Sequence, residues 1–229
     1  MPALEALVWD SEQLNIRVAR VNDVSVPPAE ALDAYDLVLA KIPQEDTQTM
    51  QRMQAAGFRL IGMELNLRCD AAQNIAPANT YNILRVRKEK PAFAIQGFYI
   101  RDSRLMLDAA CKKRLPADFW DRLIYNHCAH YADTVLCAVE NNKLIGFISC
   151  IDSHNALDLF MVGVHPDYQR KGVGCALIQA VGALAKERGL PMATCVFAHN
   201  TQAIAFYEKH GFRIADGYNV MHRWYEKRH

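Results

Sequence analysis

The stretch LDLFMVGVHPDYQRKGVGCALIQAVGALAKERG, Leu157 to Gly189, decides the reading of this chain. Leu157–Val164 alternates apolar residues and is rich in branched ones, which predicts a strand. Pro166 ends it. Gly172 to Arg188 then places Val173, Ala176, Leu177, Ala180 and Leu184 on one side of a helix, and Gly189 closes that helix as a left-handed cap. Between strand and helix lies the loop Gln169-Arg170-Lys171-Gly172-Val173-Gly174. Its two glycines let a ligand lie against the backbone. The first amides of the following helix have no partner within it. With the helix dipole they form an anion site suited to a pyrophosphate, and Arg170 and Lys171 add positive charge at its rim. A phosphate-binding P-loop is excluded because no Gly-Lys-Ser/Thr follows. A dinucleotide fingerprint is excluded because its first glycine and its acidic ribose partner are missing.

Outward from this segment the pattern is mixed α/β. Downstream come a strand at Met192–Phe197, a helix at Thr201–His210 capped by Gly211, and a last strand at Phe212–Val220. Upstream, Thr134–Val139 and Leu144–Cys150 read as a hairpin across Glu140–Lys143. Pro116–His130 reads as an amphipathic helix, and Phe98–Ala110 contains another. Tyr81–Val86 reads as a strand. Earlier still, Leu4–Trp9, Ile16–Val21, Asp36–Ile42 and Phe58–Leu67 read as strands and Thr47–Ala56 as a helix. Asp70–Asn79, rich in Ala, Asn and Pro, reads as a linker. One internal echo stands out: DTQTMQRMQAAGFRLI from Asp46 aligns without gaps with NTQAIAFYEKHGFRIA from Asn200, an offset of 154 residues. The echo predicts a partial repeat docked on the C-terminal part and extending its sheet, against the plainer reading of two coincident strand–helix–strand units.

Composition narrows the function. The chain has 229 residues, 51% hydrophobic and 22% charged, with 26 basic against 25 acidic residues and a net charge of +1. That supports a packed core and argues against a general nucleic-acid binder. No run approaches the roughly 18–20 apolar residues of a membrane helix. The start MPALEALVWDSEQ lacks a basic cluster and a long apolar run, so no secretory signal is expected, and the expected location is cytoplasmic. The seven cysteines are odd in number and show no Cys-x-x-Cys pair, which fits small thiols in a reducing compartment and no metal centre.

Val164-His-Pro-Asp-Tyr-Gln-Arg-Lys-Gly172-Val-Gly174 resembles the coenzyme A signature of the GNAT superfamily of N-acetyltransferases. Asn200-Thr-Gln-Ala-Ile-Ala-Phe-Tyr207-Glu-Lys-His-Gly211-Phe212 resembles its next motif. The resemblance runs in order from Phe98 to His229. It implies an α/β (α+β) fold with a mixed, mostly antiparallel sheet splayed at the coenzyme strand. It also implies acetyl-CoA as co-substrate, with no metal. By position, the backbone of Met161, Val162, Gly163 and Val164 would bind the pantetheine arm as an added strand. Gln169, Arg170, Lys171, Gly172, Val173 and Gly174 would hold the pyrophosphate, with an oxyanion donor near Val162. Asn200 would contact the coenzyme, or serve only as a helix N-cap. Tyr207 would protonate the leaving thiolate, or serve only as a core aromatic. Asp158 is a candidate base, or a solvent-facing carboxylate; His154 and His165 are weaker candidates, and a water chain is an alternative.

A narrower resemblance concerns the earlier part. Trp9-Asp-Ser-Glu12, AAGFRLIGMELNLR and SRLMLDAACKKRLPADFWDRLIYN are similar to bacterial TDP-fucosamine acetyltransferase and related sugar N-acyltransferases. This implies a partial GNAT-like subdomain over residues 1–79, an acetyltransferase domain over 80–229, and a nucleotide-linked amino sugar as acceptor. Arg101 and Arg104, in a basic region with Lys112, Lys113 and Arg114, would meet its diphosphate, unless they are ordinary surface charge. Trp120, Phe119 and Tyr125 could stack on the acceptor, although core packing suits them better. The expected reaction is direct attack in a ternary complex with a small-molecule amine; a homodimer is left open. The rival readings are acetylation of another small amine or of a protein N-terminus or lysine, and a coenzyme A-sensing module without turnover.

Overall fold

The computed structural model describes residues 4–23, 25–70 and 81–225. Its centre is one ten-stranded sheet in the order β1-β2-β3-β10-β4-β9-β8-β7-β6-β5. The strands are β1 Leu4–Ala6, β2 Val18–Val21, β3 Leu37–Pro43, β4 Arg59–Cys69, β5 Ile83–Val86, β6 Thr134–Glu140, β7 Lys143–Asp152, β8 Leu157–Val164, β9 Met192–Phe197 and β10 Arg213–Trp224. Two neighbour pairs, β2–β3 and β8–β9, are parallel. The other neighbours run antiparallel. The mixed, mostly antiparallel α/β architecture is as expected.

The helices are α1 Val8–Leu14, α2 Ala29–Leu32, α3 Thr47–Ala55, α4 Arg104–Leu107, α5 Ala109–Lys112, α6 Phe119–Asn126, α7 Val173–Arg188 and α8 Thr201–Lys209. On one face of the sheet, α6 and the loops around it close a core that includes Phe93, Phe98, Phe119, Ile124 and Phe147. On the other, α7 and α8 bury Leu157, Leu159, Leu177, Val181, Leu184 and Phe212. A third core joins Val38, Ile42, Met53, Phe58 and Met221.

Where sequence and structure differ, local bonds explain it. The expected strand Leu4–Trp9 stops at Ala6. Residues 8–14 turn helical because Ser11 Oγ donates to Leu7 O at 2.7 Å and accepts from Val18 N at 2.9 Å, folding the segment onto β2. The helix expected within 98–110 is two single turns. Asp108 breaks it with ψ 111° and caps the second turn by accepting from Ala110 N and Cys111 N. The amphipathic helix after Pro116 ends in a π-turn, His127–Tyr131. All of the expected linker but Asp70, and with it the 79/80 boundary, lies outside the described residues.

The internal echo has a counterpart in the sheet. β3 pairs with β10 and β9 pairs with β4, while β4 and β10 lie side by side. The registers repeat at the same offset: Tyr218 faces Pro43 as Glu64 faces Phe197, and Arg223 faces Val38 as Cys69 faces Met192. The register shift between Ile214 and Asp216 is matched by the one between Leu60 and Gly62. Asp46 caps α3 on Thr49 N as Asn200 caps α8 on Ala203 N. Each strand–helix–strand unit thus lends its last strand to its partner's first strand. This interlock joins both parts of the chain into one sheet, because an antiparallel partner satisfies the backbone groups that either unit alone would leave bare.

Candidate active site

The site is set by a parting of strands. β8 pairs with β7 along its length, as far as Val164 with Gly146. With β9 it pairs only through Leu157–Met192, Asp158–Ala193 and Leu159–Thr194. The parting starts at a bulge, since Ser149 faces Met161 and Cys150 faces Leu159, leaving Phe160 as the extra residue. An extra residue bends its strand and strengthens the local twist. β8 therefore turns away from Cys195–Phe197 of β9 and opens a gap.

The backbone alternation decides which groups line that gap. Met161 N donates to Ser149 Oγ at 3.1 Å and His165 N to Ile145 O at 2.9 Å, so residues 161, 163 and 165 turn their amides toward β7. Val162 and Val164 turn theirs toward the gap. The expectation that all four residues from Met161 to Val164 offer backbone there is thus corrected to these two. Val164 O already accepts from Gln169 Nε2 at 3.2 Å.

Next to the gap, α7 begins at Gly172, whose φ of 88° is left-handed. Arg170 is also left-handed, at φ 62°. The first bond of the helix is Ala176 N to Gly172 O at 3.0 Å, and among the described residues no side chain caps this end. The amides of Val173, Gly174 and Cys175 are left without helical acceptors and make an anion site. Val173 contributes only backbone, because its side chain is buried against β7: a Cβ at Gly146 would lie 2.7 Å from Val173. Arg170, Lys171 and Gly172 are exposed. Tyr81 Oη donates to Lys171 O at 2.7 Å and steadies the loop from outside.

Tyr207 stands beneath the point where the strands part. It is 4% exposed and packs edge-on against Phe206 and Phe212. Burial pushes its phenol up to about 12, against the pull of a hydrogen bond with Thr194. Thr194 in turn donates to Leu159 O at 3.1 Å, the last paired residue of β8. The phenol is therefore fully protonated at neutral pH and sits one side chain from the opening.

Asn200 caps α8 through Oδ1, and its Nδ2 donates to Asp102 Oδ2 at 2.9 Å. His199 Nε2 lies 2.9 Å from the other oxygen of Asp102, so this carboxylate clamps the loop before α4 to the start of α8. Nothing in the sequence pattern marked Asp102. Asp158 lies between Leu157 and Leu159, which face α7, so its half-exposed side chain points to the opposite face. On that face Cys195 is exposed, with its thiol held above the ordinary range: enclosure by the sheet dominates and the charges of Glu64 and Asp158 add to it, offset in part by Lys41. Glu64 itself is buried and ion-paired with Lys41.

The two arginines expected to meet an acceptor diverge. Arg101 is exposed. Arg104 is ion-paired with the buried Asp10 of α1 and ties the N-terminal helix to α4. His154 is exposed, and His165 accepts from Asp167 N and packs on Phe98. Phe119 and Trp120 are core residues.

A buried group near α5 completes the polar inventory. Side-chain donors of Asp108, Cys111 and His222 lie within 4.8 Å of one another. The carboxylate is already filled: Oδ2 accepts from His222 Nδ1 at 2.7 Å and Trp224 Nε1 at 2.9 Å, and Oδ1 from two backbone amides. Burial alone would raise the Asp108 pKa, but these bonds and His222 more than offset it and hold it well below the usual range. Burial lowers the His222 pKa below the usual imidazole range, against the upward pull of Asp108. A carboxylate depressed in the folded state stabilises above its unfolded pKa of about 4 and loses that contribution as pH falls below it. Replacing Asp108 with Asn should therefore cost about 2–4 kcal/mol at pH 7 and flatten the loss of stability below pH about 4, measured by urea unfolding at a series of pH values.

Comparison with known proteins agrees with this geometry. Residues 100–212 match the model described as Acetyltransferase (GNAT) family. Over 77 residues the chain is 36% identical to the [Ribosomal protein bS18]-alanine N-acetyltransferase of Escherichia coli (strain K12), covering 33% of this chain and 52% of that one. Over 77 residues it is 35% identical to the Peptidyl-lysine N-acetyltransferase YiaC of the same organism, covering 34% and 48%. The matched segment spans about half the length of these two relatives. A tandem GNAT protein from the clavulanic acid biosynthesis pathway superposes with a TM-score of 0.61 at 15% identity, covering 93% of this chain and 79% of that one. With a sheet parted beside a glycine-led helix start, and with the family's model matched across that same region, residues 100–212 of this chain belong to the GNAT family of acetyltransferases.

Proposed function

We propose that this chain transfers an acetyl group from acetyl-CoA to a primary amine by direct attack in a ternary complex. The observation that carries the reading is the gap between β8 and β9 beside the unpartnered first-turn amides of α7. Those amides, with Gln169, Arg170, Lys171 and Gly172, hold the pyrophosphate. The gap-facing backbone of Val162 and Val164 pairs with the pantetheine arm as an added strand. Acetyl-CoA supplies the activated carbonyl. The amine nitrogen forms the new C–N bond as the C–S bond breaks. The Val162 N–H donates to the carbonyl oxygen as it gains charge. Tyr207 gives its proton to the departing thiolate, and Asp158, on the acceptor face, holds the ammonium and takes up its proton. Asn200 keeps one amide hydrogen for the coenzyme beyond its bond to Asp102.

The acceptor best supported is an amine of a peptide or protein. The carboxylate of Asp158 suits a cation, and the two relatives above are named for protein acceptors. A nucleotide-linked amino sugar is the second reading: Arg101 is exposed and could meet a diphosphate, but Arg104 is committed to Asp10. Residues 1–79 form a partial GNAT-like copy ahead of the acetyltransferase domain at 80–229. The repeated register supports this, as does the coverage by a tandem GNAT structure. A reducing, cytoplasmic setting suits seven free cysteines.

Thiol release tests the reading. Acetyl-CoA is mixed with a lysine peptide, a peptide beginning with alanine, a polyamine and thymidine- or uridine-diphosphate amino sugars. Thiol should appear with at least one peptide. Turnover of the sugars alone would favour the second reading. Coenzyme binding with no thiol from any amine would leave only a sensing module.

A further inference from the structure

We propose that Phe160, backed by His127, forms an acceptor subsite that takes an uncharged ring carried next to the reacting amine. This rests on the acetyl-transfer reading above and adds the shape of the substrate to it.

Phe160 is the bulged residue of β8, at the point where that strand leaves β9. It is 61% exposed. A lone exposed apolar side chain is ordinary, but this one is braced. The His127 ring lies nearly flat against it, with centroids 5.3 Å apart and planes 26° apart. Tyr131, also exposed, meets His127 edge-on at 5.9 Å. His127 and Tyr131 bound the π-turn that ends α6. Such turns add a residue to a helix and often occur at functional sites. Here the turn brings two rings to one place on the sheet.

The brace is uncharged. His127 is 3% exposed, and its Nδ1 is enclosed with no hydrogen-bond partner among the described residues. Burial drives its pKa down to about 4, so the ring is neutral at pH 7. A buried imidazole with an unsatisfied nitrogen costs stability. It presents a flat, apolar support, not a cation for phosphate.

The place of this wall gives its role. Phe160 lies two residues, roughly 6–7 Å, from Val162, the expected neighbour of the reacting carbonyl. An amine attacking there brings its nearest substituent over Phe160. Aromatic walls favour flat or ring-shaped apolar partners, and a stacked pair contributes beyond the area it buries. An aromatic residue at a peptide N-terminus fits, and so does the apolar face of a sugar ring. A short linear polyamine does not.

Two primary amines that differ by a ring, phenethylamine and butylamine, provide the test on the full chain with saturating acetyl-CoA. The expected result is a kcat/KM about tenfold higher for phenethylamine, carried in KM. Phe160→Ala should abolish that preference while leaving coenzyme A affinity unchanged. His127→Phe, which keeps a flat support, should retain it. Binding of both amines to the coenzyme A complex is measured by calorimetry, so that the outcome does not depend on turnover. Equal handling of both amines by wild type in turnover and in binding, or a preference that survives Phe160→Ala, would overturn the subsite. Loss of coenzyme binding or of all thiol release would strike the acetyl-transfer reading instead.

Discussion

Gly172→Asp should weaken coenzyme A binding about 100-fold, equivalent to roughly 2.7 kcal/mol, while the fold persists. Gly172 is exposed and left-handed, and a Cβ there would meet nothing closer than Tyr81 at 4.0 Å. Space is therefore no obstacle. The backbone strain of a non-glycine residue costs about 1–2 kcal/mol of stability. The carboxylate itself would sit at the start of α7, where the free amides point. It would favour the helix slightly through the dipole and compete with the phosphates for the same donors. Gly172→Ala carries the same strain without the charge and should change affinity less than about tenfold. Calorimetric titration of both variants with coenzyme A reads the difference. Equal, near wild-type affinities would remove the helix start from the phosphate site.

Tyr207→Phe should lower kcat by roughly 10- to 10⁴-fold, the range of an acid–base group, with KM for acetyl-CoA little changed. It should also cost about 0.5–1.5 kcal/mol of stability, because the buried phenol is hydrogen-bonded with Thr194. Thr194 keeps its bond to Leu159 O, so the strand junction survives. Single-turnover thiol release, beside thermal unfolding of the same preparation, separates the two effects. An unchanged kcat with the expected stability loss would make Tyr207 a core residue only.

Much of the scaffold was legible. Gly172 and Gly189 mark the ends of α7, and the apolar positions between them mark its buried face, because helix caps and periodicity are local properties. The echo between Asp46 and Asn200 was visible as letters, as were its two helices, while the Asp46 cap on Thr49 N emerged only in the structure. Other parts were hidden. The helix at 8–14 rests on Ser11 bonding to Leu7 and Val18, contacts that no propensity encodes. Arg104 looked free to meet a diphosphate until Asp10, 94 residues earlier in the chain, closed on it. Phe160 carried a faint signal, an aromatic residue that breaks the alternation of its strand, and His127 carried none.

By itself, the sequence determined the elements that depend on neighbours a few residues apart: the glycine-led loop, the helix it starts, the cap at Asn200 and the tyrosine two turns later. Only the tertiary structure decided what faces what. The parting of β8 from β9 follows from one extra residue in a ladder, and the exchange of last strands follows from antiparallel pairing between two units repeated at an offset of 154 residues. Side-chain direction in a sheet alternates with period two, so a single bulge reassigns every group beyond it. That reassignment turned Val162 and Val164 toward the gap and set Phe160 before His127.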